Sequence, residues 1–396
     1  MINFAQARNA LAGVTVLALA LVPGAAEADG VVNIYTYRQP DLIKPVLDAF
    51  TAETGIATQV LFLDKGLEER IAAEGQNSPA DVIMTVDISR LTAAKAKGIT
   101  QPLKDAEIEK NISALYRDPE GEWFGVTKRA RVVYASKDRV KEDHISYADL
   151  ADPKWKGRIC IRSGQHDYNI ALFAAMIAHW GEEKTEQWMR AFKENLARKP
   201  DGSDRSQAKS IFAGECDIAL GNTYYVGLML TNEKNPQEQE YARSLKVIFP
   251  DFGADGGTHV NISGMALAKY APNKDNAIRL MEFLSEHEAQ QIYAEKNFEY
   301  PVEPSLEPST IVKGFGELKP DTLPLVDIGN NRKAASEMVD RIGQHFPSDA
   351  GEIAPLVRLV RPEVAVITTV VAAHTQNFPD GIDGVAAAKA EIFEAG

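Results

Sequence analysis

Two adjacent tyrosines, Tyr224 and Tyr225, stand in a predicted turn that glycines bracket at positions 221 and 227. A predicted short helix and the strand-like run 216–220 precede them, so the phenols come at the carboxyl end of a strand, where ligands bind in open α/β sheets. Neighbouring side chains of a strand point to opposite faces, whereas a turn directs both phenols into one space. Phenolates are hard oxygen ligands that suit Fe(III) better than zinc or copper. The alternative is a hydrophobic pair whose hydroxyls find local partners.

Further polar residues follow other predicted strands. Tyr168 stands in the polar loop between the strand-like run 159–161 and an apolar, buried helix over 170–180, so it is a third phenol at a strand-to-helix junction. Arg129 and Arg131 lie on one face of a longer predicted strand, 123–134, which could cross between two lobes. A solvated edge is the alternative for this arginine pair.

The chain has only two cysteines, Cys160 and Cys216, each eight residues before one of these tyrosines. Both adjoin strand-like segments, so we expect the two strands to be neighbours. A disulfide and two buried thiols both remain open, since either is compatible with an oxidising compartment.

The length, the net charge and the N-terminal segment of the chain limit its possible functions. A chain of 396 residues predicts two or three domains. Its formal charge of −13 argues against nucleic acid or an anionic membrane surface as a partner. Residues 1–28 have the pattern of a secretory signal peptide: Arg8, an apolar run over 11–21, and a small-x-small site ending at Ala28. We therefore expect the segment to be cleaved and the mature protein to be exported and soluble. The alternative is that the segment stays uncleaved as a membrane anchor.

Strands alternate with helices through the first hundred residues, which predicts βαβ units, an α/β fold and a mostly parallel sheet. In this region the predicted strands are 31–37, 58–63 and 80–85, and the predicted helices are 42–54, 67–75 and one ending at Gly98. Later in the chain we predict a return strand over 258–268 and helices over 274–286 and 289–294.

Residues 31–340 resemble the ferric-ion-binding periplasmic proteins that serve iron(III) ABC transporters. The resemblance lies in Tyr-x-Tyr-Arg-Gln-Pro at 35–40 and in the stretches 78–82, 85–90, 196–200, 221–225 and 261–264. It implies a two-lobed, venus-flytrap (transferrin-like) α/β fold with iron in the interlobe cleft. Lobe 1 would comprise 29–133 plus about 259–300, and lobe 2 would comprise 134–258 plus about 301–345.

The resemblance also implies a ligand set. Tyr168, Tyr224 and Tyr225 would bind Fe(III). Many relatives end the first strand in a His-Tyr pair, where this chain reads Arg38-Gln39-Pro40. Three protein ligands would then be completed by a synergistic anion such as carbonate.

Several residues around this ligand set have implied or open roles. Arg38 and Gln39 would hold the anion, because a guanidinium fork matches a carbonate edge, and Arg129 or Arg131 would assist. Tyr37 is expected to be a packing residue, with a fourth phenol as the alternative. His166 is expected to be a loop histidine at the cleft rim, and the alternative is that it supports the nearby Tyr168.

The implied function is capture of Fe(III) in the periplasm, as a monomer without catalytic turnover, for an ABC transporter permease in the inner membrane. Two alternatives stay open. One is a flytrap protein for an anion or small organic ligand, with the tyrosines only lining the cleft. The other is a ligase-like enzyme.

The tail, 346–396, departs from this pattern. Its stretches 351–369 and 387–393 resemble a fragment of the central domain of Mur-type ligases. The Gly-rich phosphate loop with Lys-Thr/Ser that such chemistry needs is missing from the sequence. We therefore expect a ligase-like tail fragment of uncertain packing that binds no ATP productively.

Overall fold

The computed structural model describes residues 30–63 and 65–343. The predicted signal peptide and tail lie outside these residues. The strands are β1 (Val31–Thr36), β2 (Ala57–Phe62), β3 (Val82–Thr85), β4 (Phe124–Ser136), β5 (Ile159–Cys160), β6 (Ile218–Asn222), β7 (Leu245–Ile248), β8 (Val260–Leu267) and β9 (Tyr300–Pro301). The helices are α1 (Pro40–Thr54), α2 (Leu67–Glu74), α3 (Ile88–Ala96), α4 (Ala106–Asn111), α5 (Asp167–Trp180), α6 (Glu182–Glu194), α7 (Asp204–Phe212), α8 (Thr223–Leu230), α9 (Pro236–Arg243), α10 (Lys274–Ser285), α11 (His287–Lys296), α12 (Thr310–Lys313) and α13 (Leu325–Ile342).

The strands pair in the order β2-β1-β3-β8-β4-β6-β5, and β7 and β9 also pair with β4. Only β1 with β2, β1 with β3, and β5 with β6 are parallel; the other five pairings among the described strands are antiparallel. The prediction of a mostly parallel sheet is confirmed for β1, β2 and β3, from which it was drawn, and is wrong for the sheet as a whole. Strand β4 takes part in four of the five antiparallel pairings, and β8, which lies between β3 and β4, takes part in two.

Strand β4 is shared by two groups of strands. Its residues 124–130 pair with β8, and its residues 131–135 pair with β6. Arg129 and Arg131 stand on either side of this change of partner. Both are buried, at 3% and 2% exposure, so the alternative of a solvated edge is wrong.

The tyrosine pair lies in a helix, and the prediction of a turn is wrong. Strand β6 ends at Asn222, and α8 begins at Thr223, so Tyr224 and Tyr225 occupy its first turn. Gly227 lies within the helix, where a Cβ would clash with the ring of Phe298. The glycine therefore permits close packing.

The two cysteines form a disulfide with a Cα–Cα distance of 5.8 Å. Cys160 ends β5 and Cys216 precedes β6, and these two strands pair in parallel. The disulfide belongs to an apolar cluster that also contains Tyr224 and Tyr134. It thus joins the segments that lead to Tyr168 and to the tyrosine pair. Across residues 30–63 and 65–343, no helix has both the length and the apolar character needed to cross a membrane.

Candidate functional site

A cavity of about 740 Å³ opens between the two groups of strands. Its lining includes seven residues singled out from the sequence: Tyr37, Arg38, Gln39, Arg129, Tyr168, Tyr224 and Tyr225. The first three follow β1, and the last three belong to α5 and α8. Elements far apart in the chain thus meet at one cleft.

Four tyrosines line this cavity, and the three from α5 and α8 lie close together. The hydroxyls of Tyr168 and Tyr224 are 3.0 Å apart, and the ring centroids of Tyr224 and Tyr225 are 4.3 Å apart. Tyr224 is only 6% exposed, whereas the other two are partly exposed. All three lie in the first turn of a helix, where the helix dipole favours a negative charge by about 0.3–1 kcal/mol.

The surroundings keep the paired phenols protonated until a cation arrives. Burial raises the pKa of Tyr224 well above 10, and the neighbouring Tyr168 and Tyr225 add to this effect. Burial also raises the pKa of Tyr225, again with a contribution from Tyr168. A hard trivalent cation would displace these protons and replace the phenol–phenol contacts with metal–oxygen bonds.

Guanidinium groups surround Tyr168. The central carbons of Arg129, Arg162 and Arg131 lie 5.2, 5.3 and 6.0 Å from the centroid of its ring. The sequence analysis did not single out Arg162, although it begins the same polar loop that contains Tyr168.

The Arg38 guanidinium is already engaged. Its Nη1 donates to Ser263 Oγ at 2.7 Å and to Glu299 Oε1 at 3.2 Å, and its Nη2 donates to Glu299 Oε2. The fork that we expected to match carbonate thus faces a carboxylate of the protein. Glu299 was missed because it is 261 residues away in sequence. Ser263 also accepts from Arg129 Nη1 at 3.1 Å, so it links both arginines.

The other two expected anion donors differ in their access to the cavity. Gln39 is exposed and lines it, immediately before α1. Arg131 does not line it. Its Nη1 donates to Asp204 at 2.8 Å and its Nη2 donates to Asn169 at 2.7 Å. Arg131 therefore binds other side chains of the protein and does not line the cavity.

Two other residues have structural partners. The Tyr37 hydroxyl donates to Glu68 and accepts from the Leu67 amide at 2.8 Å, as suits a packing residue. His166 precedes α5, and its Nδ1 accepts from the Tyr168 amide at 3.2 Å. Burial and the nearby Arg162 lower the His166 pKa to about 3, so the ring stays neutral and can accept this bond. His166 therefore positions Tyr168.

Within residues 30–63 and 65–343, no group of three or more His, Cys, Asp or Glu side chains is arranged to hold a metal ion. The three phenols stay the metal ligands predicted from the family resemblance.

Comparisons with known proteins agree with this chemistry. A family model for bacterial extracellular solute-binding proteins matches residues 77–314. Iron uptake protein A1 of Synechocystis is 42% identical over 316 residues, covering 79% of this chain and 87% of the relative. The crystal structure of the apo ferric-ion-binding protein A of Pasteurella haemolytica has a TM-score of 0.76 at 49% identity, covering 79% of this chain and 98% of that one. A Trichodesmium protein in complex with iron and citrate has a TM-score of 0.75 at 41% identity, covering 80% and 100%.

These matches confirm the two-lobed α/β flytrap fold. They do not support the ligase resemblance of the tail, which lies beyond the family match and outside the described residues. The lobe boundaries drawn from the sequence stay predictions.

Proposed function

The chain belongs to the bacterial extracellular solute-binding proteins, and on that premise we propose that its cavity captures Fe(III) through the phenolates of Tyr168, Tyr224 and Tyr225. The loaded protein delivers iron to the permease of an ABC importer in the inner membrane. The observation that carries this proposal is the convergence of three phenols, two of them 3.0 Å apart, in one cavity.

A synergistic anion completes the iron site. Three phenolates leave coordination positions open, and Gln39 is the exposed donor beside them. Arg38 and Arg129, joined through Ser263, supply positive potential behind it. Because Glu299 occupies the Arg38 fork, we assign Arg38 a smaller share of direct anion contact than the sequence suggested.

The anion is carbonate or a bulkier carboxylate such as citrate. A volume of about 740 Å³ exceeds the need of an iron ion with carbonate. Lys234 and Lys296 line the same cavity, and both are exposed. Neither forms an ion pair with a described residue. Their charges suit the outer carboxylates of a chelate. The citrate in the Trichodesmium relative supports this second choice.

The test is addition of Fe(III) to the apo protein with bicarbonate, with citrate, or with neither. We expect a visible phenolate-to-iron charge-transfer band that forms tightly only with an anion, and the preferred anion gives the lower Kd. A flytrap protein for an organic ligand would show no such band in any buffer. That outcome would overturn the iron assignment.

The same proposal includes export. Cleavage after Ala28 would release a periplasmic protein that acts without catalytic turnover. Fractionation of cells that express the full chain checks the compartment, and N-terminal sequencing of the periplasmic form checks the cleavage site. Protein that remains in the membrane fraction would instead favour the uncleaved anchor.

A further inference from the structure

Arg162 is a largely buried arginine that lies beside the phenols and does not line the open cavity. It belongs to the loop between β5 and α5, and its guanidinium carbon is 5.3 Å from the centroid of the Tyr168 ring. Its side chain is only 12% exposed. Arg162 is therefore placed behind the phenols, apart from the cavity wall that faces the anion.

The Arg162 guanidinium shares its carboxylate with a second arginine. Its Nη1 donates to Asp204 Oδ1 at 3.2 Å, while its buried Nε has no hydrogen-bond partner among the described residues. Asp204 Oδ2 accepts from Arg131 Nη1 at 2.8 Å and from the backbone amide of Asn222 at 2.9 Å. Neither guanidinium pairs with another carboxylate in the described part of the chain. This cluster therefore holds two positive charges and one negative charge.

The charges of this cluster are permanent near neutral pH. Burial alone would raise the pKa of Asp204, but Arg131 and Arg162 hold it below its ordinary value, so the carboxylate is ionised. Burial would lower the pKa of Arg162, but the pKa is raised, because Asp204 and then the three phenols favour the charged guanidinium. Arg162 therefore interacts electrostatically with all three phenols and stays positive beside them.

Iron binding changes what this positive charge meets. In the apo protein, burial, Tyr168 and Asp204 raise the pKa of Tyr225, and the Arg162 guanidinium opposes this rise. When a metal ion displaces phenolic protons, negatively charged oxygens replace neutral groups. A buried positive charge beside them attracts them more strongly than an exposed one would, because burial limits screening by solvent.

We propose that Arg162 is a positioning residue of the iron site, whose unshared positive charge stabilises the three phenolates in the loaded protein. This inference rests on the proposed function, since the phenolates form only if iron binds there. The guanidinium contacts neither the metal nor the anion. It raises the affinity for iron through the phenolates, and it lowers the energy of their electrons.

Arg162→Gln tests the charge. The variant should fold with an apo Tm close to that of the wild type, because Asp204 keeps Arg131 as its partner and no buried charge is left unpaired. Its Fe(III) affinity with bicarbonate should fall at least about tenfold. The charge-transfer band should move to longer wavelength, because without the positive charge the phenolate electrons lie higher in energy and less light energy transfers them to Fe(III).

Two further variants serve as controls. Arg162→Lys keeps a positive charge, as a compact ammonium, and should recover part of the affinity and of the band position. Arg158 lies at the other end of β5 and shares the carboxylate of Asp217 with Arg139, so it is a matched arginine away from the cavity. Arg158→Gln should therefore have the affinity and the band of the wild type. Competition titration against a chelator and visible spectra of the iron-loaded proteins measure both quantities.

Wild-type affinity and band position in Arg162→Gln would overturn the proposal. A loss of affinity with an unmoved band and no recovery in Arg162→Lys would also overturn it, because a residue that only supports the fold would give this combination. If Arg162→Gln does not fold, Arg162→Met removes the same charge with an apolar side chain and is read in the same way. A wild type without a band in any buffer would instead overturn the proposed iron site, so the two failures are distinguishable.

Discussion

At the scale of single residues, the buried ion pair between Arg38 and Glu299 limits which substitutions can test the anion site. Their side chains are only 4% and 3% exposed. Removing one partner of a buried ion pair leaves an uncompensated charge, which costs about 3–5 kcal/mol. A plain Arg38→Ala substitution would therefore mix a loss of stability with a loss of anion binding.

A paired substitution separates these effects. The double variant Arg38→Gln/Glu299→Gln keeps polar groups of similar size and removes both charges. We expect it to fold, and we expect its iron affinity with bicarbonate to fall about tenfold, or 1.4 kcal/mol. Arg70→Gln, which breaks a surface pair with Glu74, should leave the affinity unchanged. If the double variant responds to bicarbonate as the wild type does, the anion contact belongs to Gln39 or Arg129.

Proton release sets the pH dependence of iron binding. The pKa values of Tyr224 and Tyr225 are raised, so both phenols are protonated in the apo protein between pH 5 and pH 8. Each proton displaced by Fe(III) makes the apparent affinity rise with pH, by about one log unit per pH unit. We therefore expect a slope of about two or more, weaker binding at low pH, and iron release on acidification. Competition titrations at several pH values measure this slope.

His166 supplies the control for that slope. Its pKa is lowered to about 3, so the ring does not titrate between pH 5 and pH 8. The variant His166→Asn retains an acceptor before α5 and should show the wild-type slope, even if its affinity differs. A slope that disappears in this variant would assign the pH dependence to the histidine.

At the scale of elements, the first turns of α5 and α8 carry the three tyrosines of the proposed iron site. Periodicity predicted most of the strands and helices that lead to it, because alternation and helical spacing are local signals. It missed that α8 starts immediately after β6, since Tyr-Tyr and glycine are poor helix signals without the packing of Gly227 against Phe298.

An ion pair connects α5 to α3 beside the iron site. Asp167 Oδ2 accepts from Arg90 Nη2 at 3.3 Å, and its Oδ1 accepts from Arg332 on α13 at 2.5 Å. With the lobe boundaries predicted from the sequence, the Arg90 contact spans the two lobes. It adjoins Tyr168, so it should help to keep the cleft closed over bound iron.

Arg90→Gln should therefore release iron about five to ten times faster, because it removes one contact of the closed form. The charge-transfer band should not change, since the iron ligands are intact. Arg70→Gln again serves as the control. Stopped-flow transfer of iron to a chelator measures the release rate. A wild-type rate in Arg90→Gln would show that the pair does not hold the lobes.

At the scale of the whole molecule, residues 30–343 should contain everything that iron binding needs. Helix α13 ends at Ile342, whose carbonyl accepts from Lys193 Nζ at 2.7 Å, and Gly343 follows in a left-handed conformation with φ of 63°. The two solved relatives align with about 80% of this chain, and that part matches almost their full length. Truncation after His345 should thus leave iron affinity unchanged.

The truncation is measured by iron titration and by light scattering. The apolar run at 364–371 lies outside the described residues, and its composition is prone to aggregation, so we expect the truncated protein to aggregate no more than the full chain. Loss of the iron colour after truncation would show that the tail belongs to the functional fold.

The sequence predicted the two-lobed fold and the three converging tyrosines, because these depend on local patterns and on a resemblance spread over most of the chain. It could not predict partners that meet only in three dimensions. Glu299 reaches Arg38, and Ser263 lies 225 and 134 residues from the two arginines that it links.

The most direct measurement is the Fe(III) affinity of Tyr225→Phe with bicarbonate, determined by competition titration against a chelator. The substitution removes one oxygen ligand and keeps the ring, so the protein should fold while its affinity falls by at least about 100-fold. Tyr241→Phe, on α9 in the same part of the chain, is the matched control and should bind as the wild type does. Equal affinity in Tyr225→Phe and the wild type would contradict the assignment of this phenol as an iron ligand.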